Sequence, residues 1–521
     1  MKFCYTFILC LLGVSFSVNA QNQNLTNTNV FDGEPYLAID PVNNQHLVAA
    51  WMGFKLGQGI VIKSNYSDDG GTTWSAVNEI PHIAGALSSA DVSLKYDSNG
   101  NLFMCYVDYD NQNFSQGDVL IRKSTDGGVT WGNAVSAISV SDCPNQLCVD
   151  RPWMAIDNST GPNNGAIYVT TINADQPSLV VPPYHAYLVV STDEGATFST
   201  PRYLDSTNYN VGAIPQAGNS PVVGPDGTFY ANYPSYDTSQ SPFAHIYMAY
   251  STTLGTDIDH VNAYTILIQG VSDPFAKKGG LMFCDYSEPS HLAMLLLGQE
   301  NGDPDLYFME TYDAVNWTTP VRLNDDPIGN GKMQDLVWGA FNEDGDLAVC
   351  WRDRRNASAN GYQTETELYG AILFKDSTDF EPNFPISTEQ APHDVVLEGA
   401  GNDFMNVQFV GDTLYTIWGD VRTGTVNIFL NKMSVSSGTS SIQTIHKDVA
   451  PITIYPNPAD VDFTIDNFGE YQHCQLIDPA GKVLKNISSD TVKTSDIPSG
   501  NYFVRFLINN KSFISPVVIQ H

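Results

Sequence analysis

The sequence predicts an all-β chain: a β-propeller, with seven blades favoured and six as the fallback, followed by a small C-terminal β-sandwich. Three observations carry this. The pattern Ser-x-Asp-x-Gly-x-Thr-aromatic occurs three times, at Ser67 to Trp74, Ser124 to Trp131 and Ser191 to Phe198. Apolar strand pairs separated by Gly/Asn/Asp turns recur at a period of about sixty residues. Periodicity then stops at a Ser/Thr/Gly stretch and resumes in a short tail with different spacing.

Taken in order, residues 1–20 read as a secretory signal peptide. Lys2 supplies the positive end, Phe7 to Val18 the short apolar run, and Val18-Asn19-Ala20 the cleavage site. Residues 21–433 are the expected propeller. Each unit opens on an apolar strand, as at Tyr36 to Ile39, Val92 to Tyr96, Trp153 to Ile156 and Met405 to Val410, and seven such units can be counted. The seventh unit lacks a fourth strand, so the segment around Leu25 to Phe31 is expected to supply it and close the ring. Residues 434–449 read as a linker and 450–521 as a separate domain.

The repeated pattern describes a tight turn between strands. Asp69, Asp126 and Asp193 bond back to turn amides, Gly takes a positive φ, and the aromatic residue packs under the hairpin. A fourth, degenerate copy runs from Asp313 to Trp317 and lacks the Gly. This pattern resembles the Asp-box of the sialidase-like (BNR-repeat) propellers. In the tail, Tyr455 to Pro458 (Y-P-N-P), Leu476 to Val483 and Ile497 to Val504 resemble the C-terminal sorting domain of type IX secretion substrates. That second resemblance implies the type IX machinery as a partner, a Bacteroidetes-type source and a secreted or cell-surface location.

Composition narrows the partners. A net charge of -33, from 24 Lys+Arg against 57 Asp+Glu, argues against nucleic acid and anionic membranes. No segment is long and apolar enough for a transmembrane span. In an exported chain Cys143 and Cys148 are expected to form a disulfide, while Cys105, Cys284 and Cys350 lie in apolar strands as buried thiols. No Cys/His spacing reads as a metal site and no cofactor is expected; Ca²⁺ is left open as a structural ion in the acidic turns.

Strand alternation places the repeated turns on one face and the long loops on the other, around one mouth. There the sequence brings Glu34, Asp150, Arg151, His185, Tyr236 and two Trp-x-Asp-x-Arg segments, Trp351 to Arg355 and Trp418 to Arg422. Asp353 with Arg355, and Asp420 with Arg422, are read either as ion pairs within a blade or as sugar-binding groups. The sialidase resemblance implies an arginine clamp on a sugar carboxylate, for which Arg151, Arg355 and Arg422 are the candidates. Against sialic acid hydrolysis, the family's early Phe-Arg-Ile-Pro is absent and the corresponding place reads Gly33-Glu34-Pro35-Tyr36. Glu34, Asp150, Asp353 and Tyr236 are the candidate catalytic groups, with Asp420 and His185 beside the arginines as substrate-binding ones. The expected function is recognition and cleavage of an extracellular glycan or glycoprotein, an acidic sugar favoured, with hydrolase and lyase chemistry both open. The alternative is a non-catalytic surface propeller that binds a glycan or protein.

Overall fold

The computed structural model describes residues 22–85, 87–112, 114–211, 219–235, 245–265, 280–398, 401–435, 454–466, 468–470, 472–477, 482–508 and 511–521. The chain divides into two compact units, Met1–Ser436 and Ser437–His521. The expected signal peptide and nearly all of the expected linker lie outside the described residues.

Seven four-stranded antiparallel sheets make up the first unit. Their inner strands are Asp32–Ile39, Ser88–Tyr96, Asp150–Ile156, Pro221–Val223, Gly280–Cys284, Gln334–Phe341 and Asn406–Val410. Each inner strand touches that of the next blade, and the seventh touches the first. The ring therefore closes with seven blades, and the six-bladed fallback is set aside. Alternation drives the packing. The inner and second strands are almost wholly buried, and Trp51, Trp351 and Trp418 on the second strands of blades 1, 6 and 7 are fully enclosed between blades.

The ring closes on an N-terminal strand, as expected, although the paired residues are Gln23–Asn24 against Phe429 and Leu430 rather than the stretch from Leu25 onward. Asn427 secures the next few residues of this N-terminal segment. Its side chain accepts from Thr26 Oγ1 at 2.9 Å and Thr28 N at 2.7 Å, and donates to Thr28 O at 3.1 Å. Asn427 is fully buried, so its loss leaves these groups unsatisfied. Asn427→Ala is expected to lower stability by about 2 kcal/mol, read from urea unfolding, because several buried polar groups lose partners together.

The three repeated turns are built alike. In the second, Ser124 Oγ bonds Asp126 Oδ1 at 2.8 Å and accepts from Gly128 N at 2.8 Å, while Asp126 accepts from Thr130 N at 2.9 Å and Thr130 Oγ1 at 2.6 Å. Gly128 has φ +80°, and a Cβ there would come within 3.0 Å of Val48 in blade 1. The glycine thus serves backbone conformation and blade packing at once. A fifth variant at Ser251 to Asp257 escapes the pattern because Thr253 replaces the Asp, yet Gly255 N still bonds Ser251 Oγ at 3.0 Å.

These turns make an acid-labile contribution to stability. Bonds from the Thr73 and Thr197 hydroxyls hold Asp69 and Asp193 down at about 2. Asp126 is also lowered, its bonds from Thr130 outweighing slight burial. A depressed carboxyl stabilises the fold above its unfolded value near about 4 and loses that contribution as pH falls through the folded value. Melting temperature is expected to drop between about pH 4 and about pH 2. The Asp69, Asp126 and Asp193 to Asn triple variant should flatten that part of the profile.

The second unit forms two sheets, one of Ile454–Tyr455, Asp462–Ile465 and Thr491–Lys493, the other of Gln472–Ile477, Val483–Asn486, Gly500–Ile508 and Lys511–Ile519. They share a core of Phe463, Ile465, Leu476, Val504 and Val517, as a sandwich requires.

Candidate functional site

The inner strands of blades 1, 2, 3 and 6 share an irregularity. Register shifts between Gly33 and Tyr36, Ala90 and Ser93, Asp150 and Trp153, and Asp335 and Trp338. The residues at these bulges, Glu34, Asp91, Arg151 and Leu336, have φ between +48° and +57°, as does Asn402 just before the blade 7 strand. A side-chain-bearing residue in this region costs roughly 1 kcal/mol, and bulges commonly re-aim a side chain at a functional site.

Here the bulges aim charge at the axis. Arg151 Nη2 meets Asp403 Oδ2 at 2.8 Å. Blades 3 and 7 are not neighbours in the ring, so this ion pair spans the central mouth. The Arg151 amide bonds Asp91 Oδ2 at 3.2 Å and Asp150 Oδ1 at 3.0 Å. Asp403 N approaches Glu34 Oε1 at 3.4 Å, and the Glu34 carboxyl is hydrogen-bonded to that of Asp403. Two carboxyl pairs, Glu34 with Asp403 and Asp91 with Asp150, therefore flank one arginine.

Crowding sets their protonation. Burial, then Asp403 and Asp91, hold the Glu34 carboxyl well above the usual range. Burial, with Asp91 alongside, pushes Asp150 up to about 8, and Asp91 is raised chiefly by burial. Burial works against the charge on Arg151, but Asp403, Asp150 and Asp91 outweigh it. Tyr109, pushed up to about 12 by burial and by Asp91, Asp150 and Glu34, completes the wall. The arrangement keeps protonated acids and an ion-paired carboxylate within one small volume.

An aromatic layer floors the cluster. The Arg151 guanidinium lies over Phe404 at 5.1 Å, Phe404 packs on Trp153, and Trp153 meets Trp338, which also contacts Tyr36 and Phe283. Further along the axis is a channel of about 300 Å³ lined by the inner strands of all seven blades. Upstream, the Cys143–Cys148 disulfide closes the loop that leads into Asp150, and Thr171 Oγ1 bonds Cys148 O at 2.7 Å. Cys105, Cys284 and Cys350 are free and buried.

The structure thus brings together Glu34, Asp150 and Arg151 and leaves the other expected site residues elsewhere. Arg355 bonds Asp353 at 2.9 Å and Asp325 at 2.7 Å, and Arg422 bonds Asp420 at 2.6 Å. Each Asp also accepts from its own blade's tryptophan, Trp351 at 2.7 Å and Trp418 at 2.8 Å. Blade 1 builds the same device from Trp51, Asp32 and Lys63. Of the two readings of Trp-x-Asp-x-Arg, these contacts are the ion pair within a blade, which corrects the expectation that Asp353 and Asp420 with Arg355 and Arg422 face a substrate. His185 is buried, pairs with Asp205 at 2.9 Å and stacks on Tyr203. That is the environment of a packed histidine, not of a base at the mouth. Tyr236 lies outside the described residues. Asp91 and Asp403 were missed, although Glu34, Asp91 and Arg151 stand about one sixty-residue repeat apart, which is a legible signal. Among the described residues no group of three or more His, Cys, Asp or Glu side chains is arranged to hold a metal, and no helix is long and apolar enough to cross a membrane.

Residues 453–520 match the family described as "Secretion system C-terminal sorting domain". The chain is therefore marked for type IX export to the cell surface or beyond. No protein of curated function matches it. Among solved structures, a Hadza microbial sialidase is 13% identical, with 75% of this chain and 76% of that chain covered and a TM-score of 0.41. A Trypanosoma rangeli sialidase in complex with sialic acid is 11% identical, covering 92% and 69%, with a TM-score of 0.42. A protein of unknown function from Dyadobacter fermentans is 14% identical, covering 67% and 98%, with a TM-score of 0.40. Likenesses this remote transfer no residue role, and the propeller rests on its own seven sheets.

Proposed function

We propose that this exported propeller cleaves an extracellular glycan at its central mouth by acid–base catalysis. The observation that carries the reading is the pair of carboxyl couples around Arg151, in which burial and neighbouring acids raise Glu34 and Asp150 and Asp403 is ion-paired. A protonated carboxyl delivers a proton to a departing glycosidic oxygen. A neighbouring carboxylate activates water or stabilises the positive charge developing on the sugar ring. Glu34 or Asp150 is the acid, and Asp403 or Asp91 the partner.

An arginine clamp on a sugar carboxylate has little support. Arg355 and Arg422 are engaged by acids of their own blades, and Arg151 is engaged by Asp403. The reading therefore moves from acidic sugars toward neutral or cationic ones, and away from proton abstraction by His185.

The test is turnover by the full chain on a panel of neutral, amino-sugar, sialylated and uronate-containing glycans, following reducing ends and the absorbance of unsaturated products. New reducing ends without unsaturation support the hydrolase. Unsaturated products would replace it with a lyase, and binding without turnover would leave a non-catalytic propeller.

A further inference from the structure

Resting on the reading of the mouth as an acid–base site, a residue outside the acids explains how Glu34 and Asp403 are brought together. The two come from opposite sides of the seam where blade 7 meets blade 1, and Asn402 lies between them. Asn402 is 1% exposed and has φ +56°, a left-handed conformation that Asn tolerates better than most residues. Its Nδ2 donates to Asp394 Oδ2 and to Gly419 O, each at 2.9 Å, and its Oδ1 faces Glu34 N at 3.5 Å. One buried side chain thus links the segment before the blade 7 inner strand, the second strand of that blade and the bulge of blade 1.

Two glycines make room for it. Neither Gly419 nor Gly33 has a positive φ, so backbone conformation does not call for glycine at either place. Space does. A Cβ on Gly419 would overlap Asn402 Oδ1 and come 3.0 Å from its Cγ, and one on Gly33 would meet Phe31 and come within 3.3 Å of the same oxygen. Blade 6 carries Arg352 between its tryptophan and aspartate, where blade 7 has Gly419 between Trp418 and Asp420. Asn402 is the reason the two segments differ there.

We propose that Asn402 is the positioning residue of the Glu34–Asp403 acid pair, and that position 419 is glycine in order to seat it. Asn402 precedes Asp403 in the chain, so anchoring its side chain on the second strand of blade 7 fixes the point from which Asp403 reaches both Glu34 and Arg151. The described groups that face the pair are Asp91, Asp150, Arg151 and the Tyr109 hydroxyl, with Asp394 behind Asn402. After burial, Asp403 is the largest cause that holds Glu34 above its usual range. A loosened pair therefore lets Glu34 fall back toward that range.

The experiment compares the full chain with its Asn402→Ala and Gly419→Ala variants, reading melting temperature at about pH 5.5 and about pH 8.5. In the unaltered chain stability falls between these values, because folded Glu34 holds a proton that the unfolded chain has released. Both variants should melt lower at the acid value, and the fall between the two values should shrink by about a third or more. Asn427→Ala, which weakens blade 7 at Thr26 and Thr28 instead, should keep the full fall. A variant that does not fold leaves the other to decide. An equal loss of melting temperature at both pH values, with the fall unchanged, would overturn the inference, as would a variant indistinguishable from the unaltered chain. Turnover on a glycan alongside either result would leave the proposed function standing. A reduced fall in a chain that turns over no glycan would support the positioning role while removing the enzyme.

Discussion

Replacing Glu34 by Gln, or Asp150 by Asn, is expected to lower turnover about 10²–10⁴-fold while making the protein more stable above neutral pH. Both halves follow from one cause. Burial and neighbouring acids raise these carboxyls, Asp150 to about 8, so the folded chain holds protons that the unfolded chain has already released. Between about pH 4 and about pH 8 the native state binds more protons than the unfolded state, and stability falls as pH rises through that window. An amide has no proton to lose, so the variant escapes the fall. It also cannot protonate a leaving group, so the chemistry goes with it. Turnover on the preferred glycan and melting temperature at pH 6 and 8.5 test the pair together. A variant that loses activity and also melts lower at the higher pH would mean that the carboxyl holds the fold, and the acid assignment would fail.

The local strain supports the same assignment. Glu34, Asp91 and Arg151 all occupy a left-handed backbone region at bulges, where a glycine would fit at lower cost. Three charged residues tolerated at the same strained position in consecutive blades suggest that the side chain is what the position serves. Leu336, at the same bulge in blade 6, is mostly buried and adds no charge. The charged groups of this cluster come from blade 7 and from blades 1 through 3.

The propeller was legible because each blade repeats a local grammar, a strand–turn–strand unit punctuated by glycine, and local grammar survives in a single sequence. The sorting tail was legible for the same reason. Half of the site was legible too, since Glu34 and the Asp150-Arg151 pair stand out at loop ends. Asp403 did not, because Asn402-Asp403-Phe404 carries no local mark, and Asp91 is marked only by its spacing from Glu34 and Arg151. Their importance arises from ring closure, which sets blade 7 opposite blade 3. The arginines misled in the opposite direction. Asp–Arg spacing of two residues serves a blade's own tryptophan and carboxylate as readily as a ligand, and only the geometry distinguishes them.

The largest expected effect on folding is at Asp335. Its carboxylate is fully buried and receives Arg352 through Nε at 2.7 Å and through Nη2, and Arg354 Nη1 at 3.0 Å. The Arg354 side chain is 0% exposed, and Tyr362 covers both guanidinium groups, its ring centre 4.5 Å from Arg354 and 5.6 Å from Arg352. One anion therefore holds two cations in a volume water does not reach. Asp335→Asn retains size and an acceptor but removes the charge, leaving both guanidinium groups without compensation. The expected loss is about 3–5 kcal/mol in urea unfolding, little changed by salt because the site is shielded from ions. The cations cause the loss, so removing them should restore stability: Asp335→Leu combined with Arg352→Met and Arg354→Met should recover most of it. A single variant that loses less than about 1 kcal/mol, or a triple variant no better than the single one, would show that packing around Tyr362 rather than charge balance holds this loop.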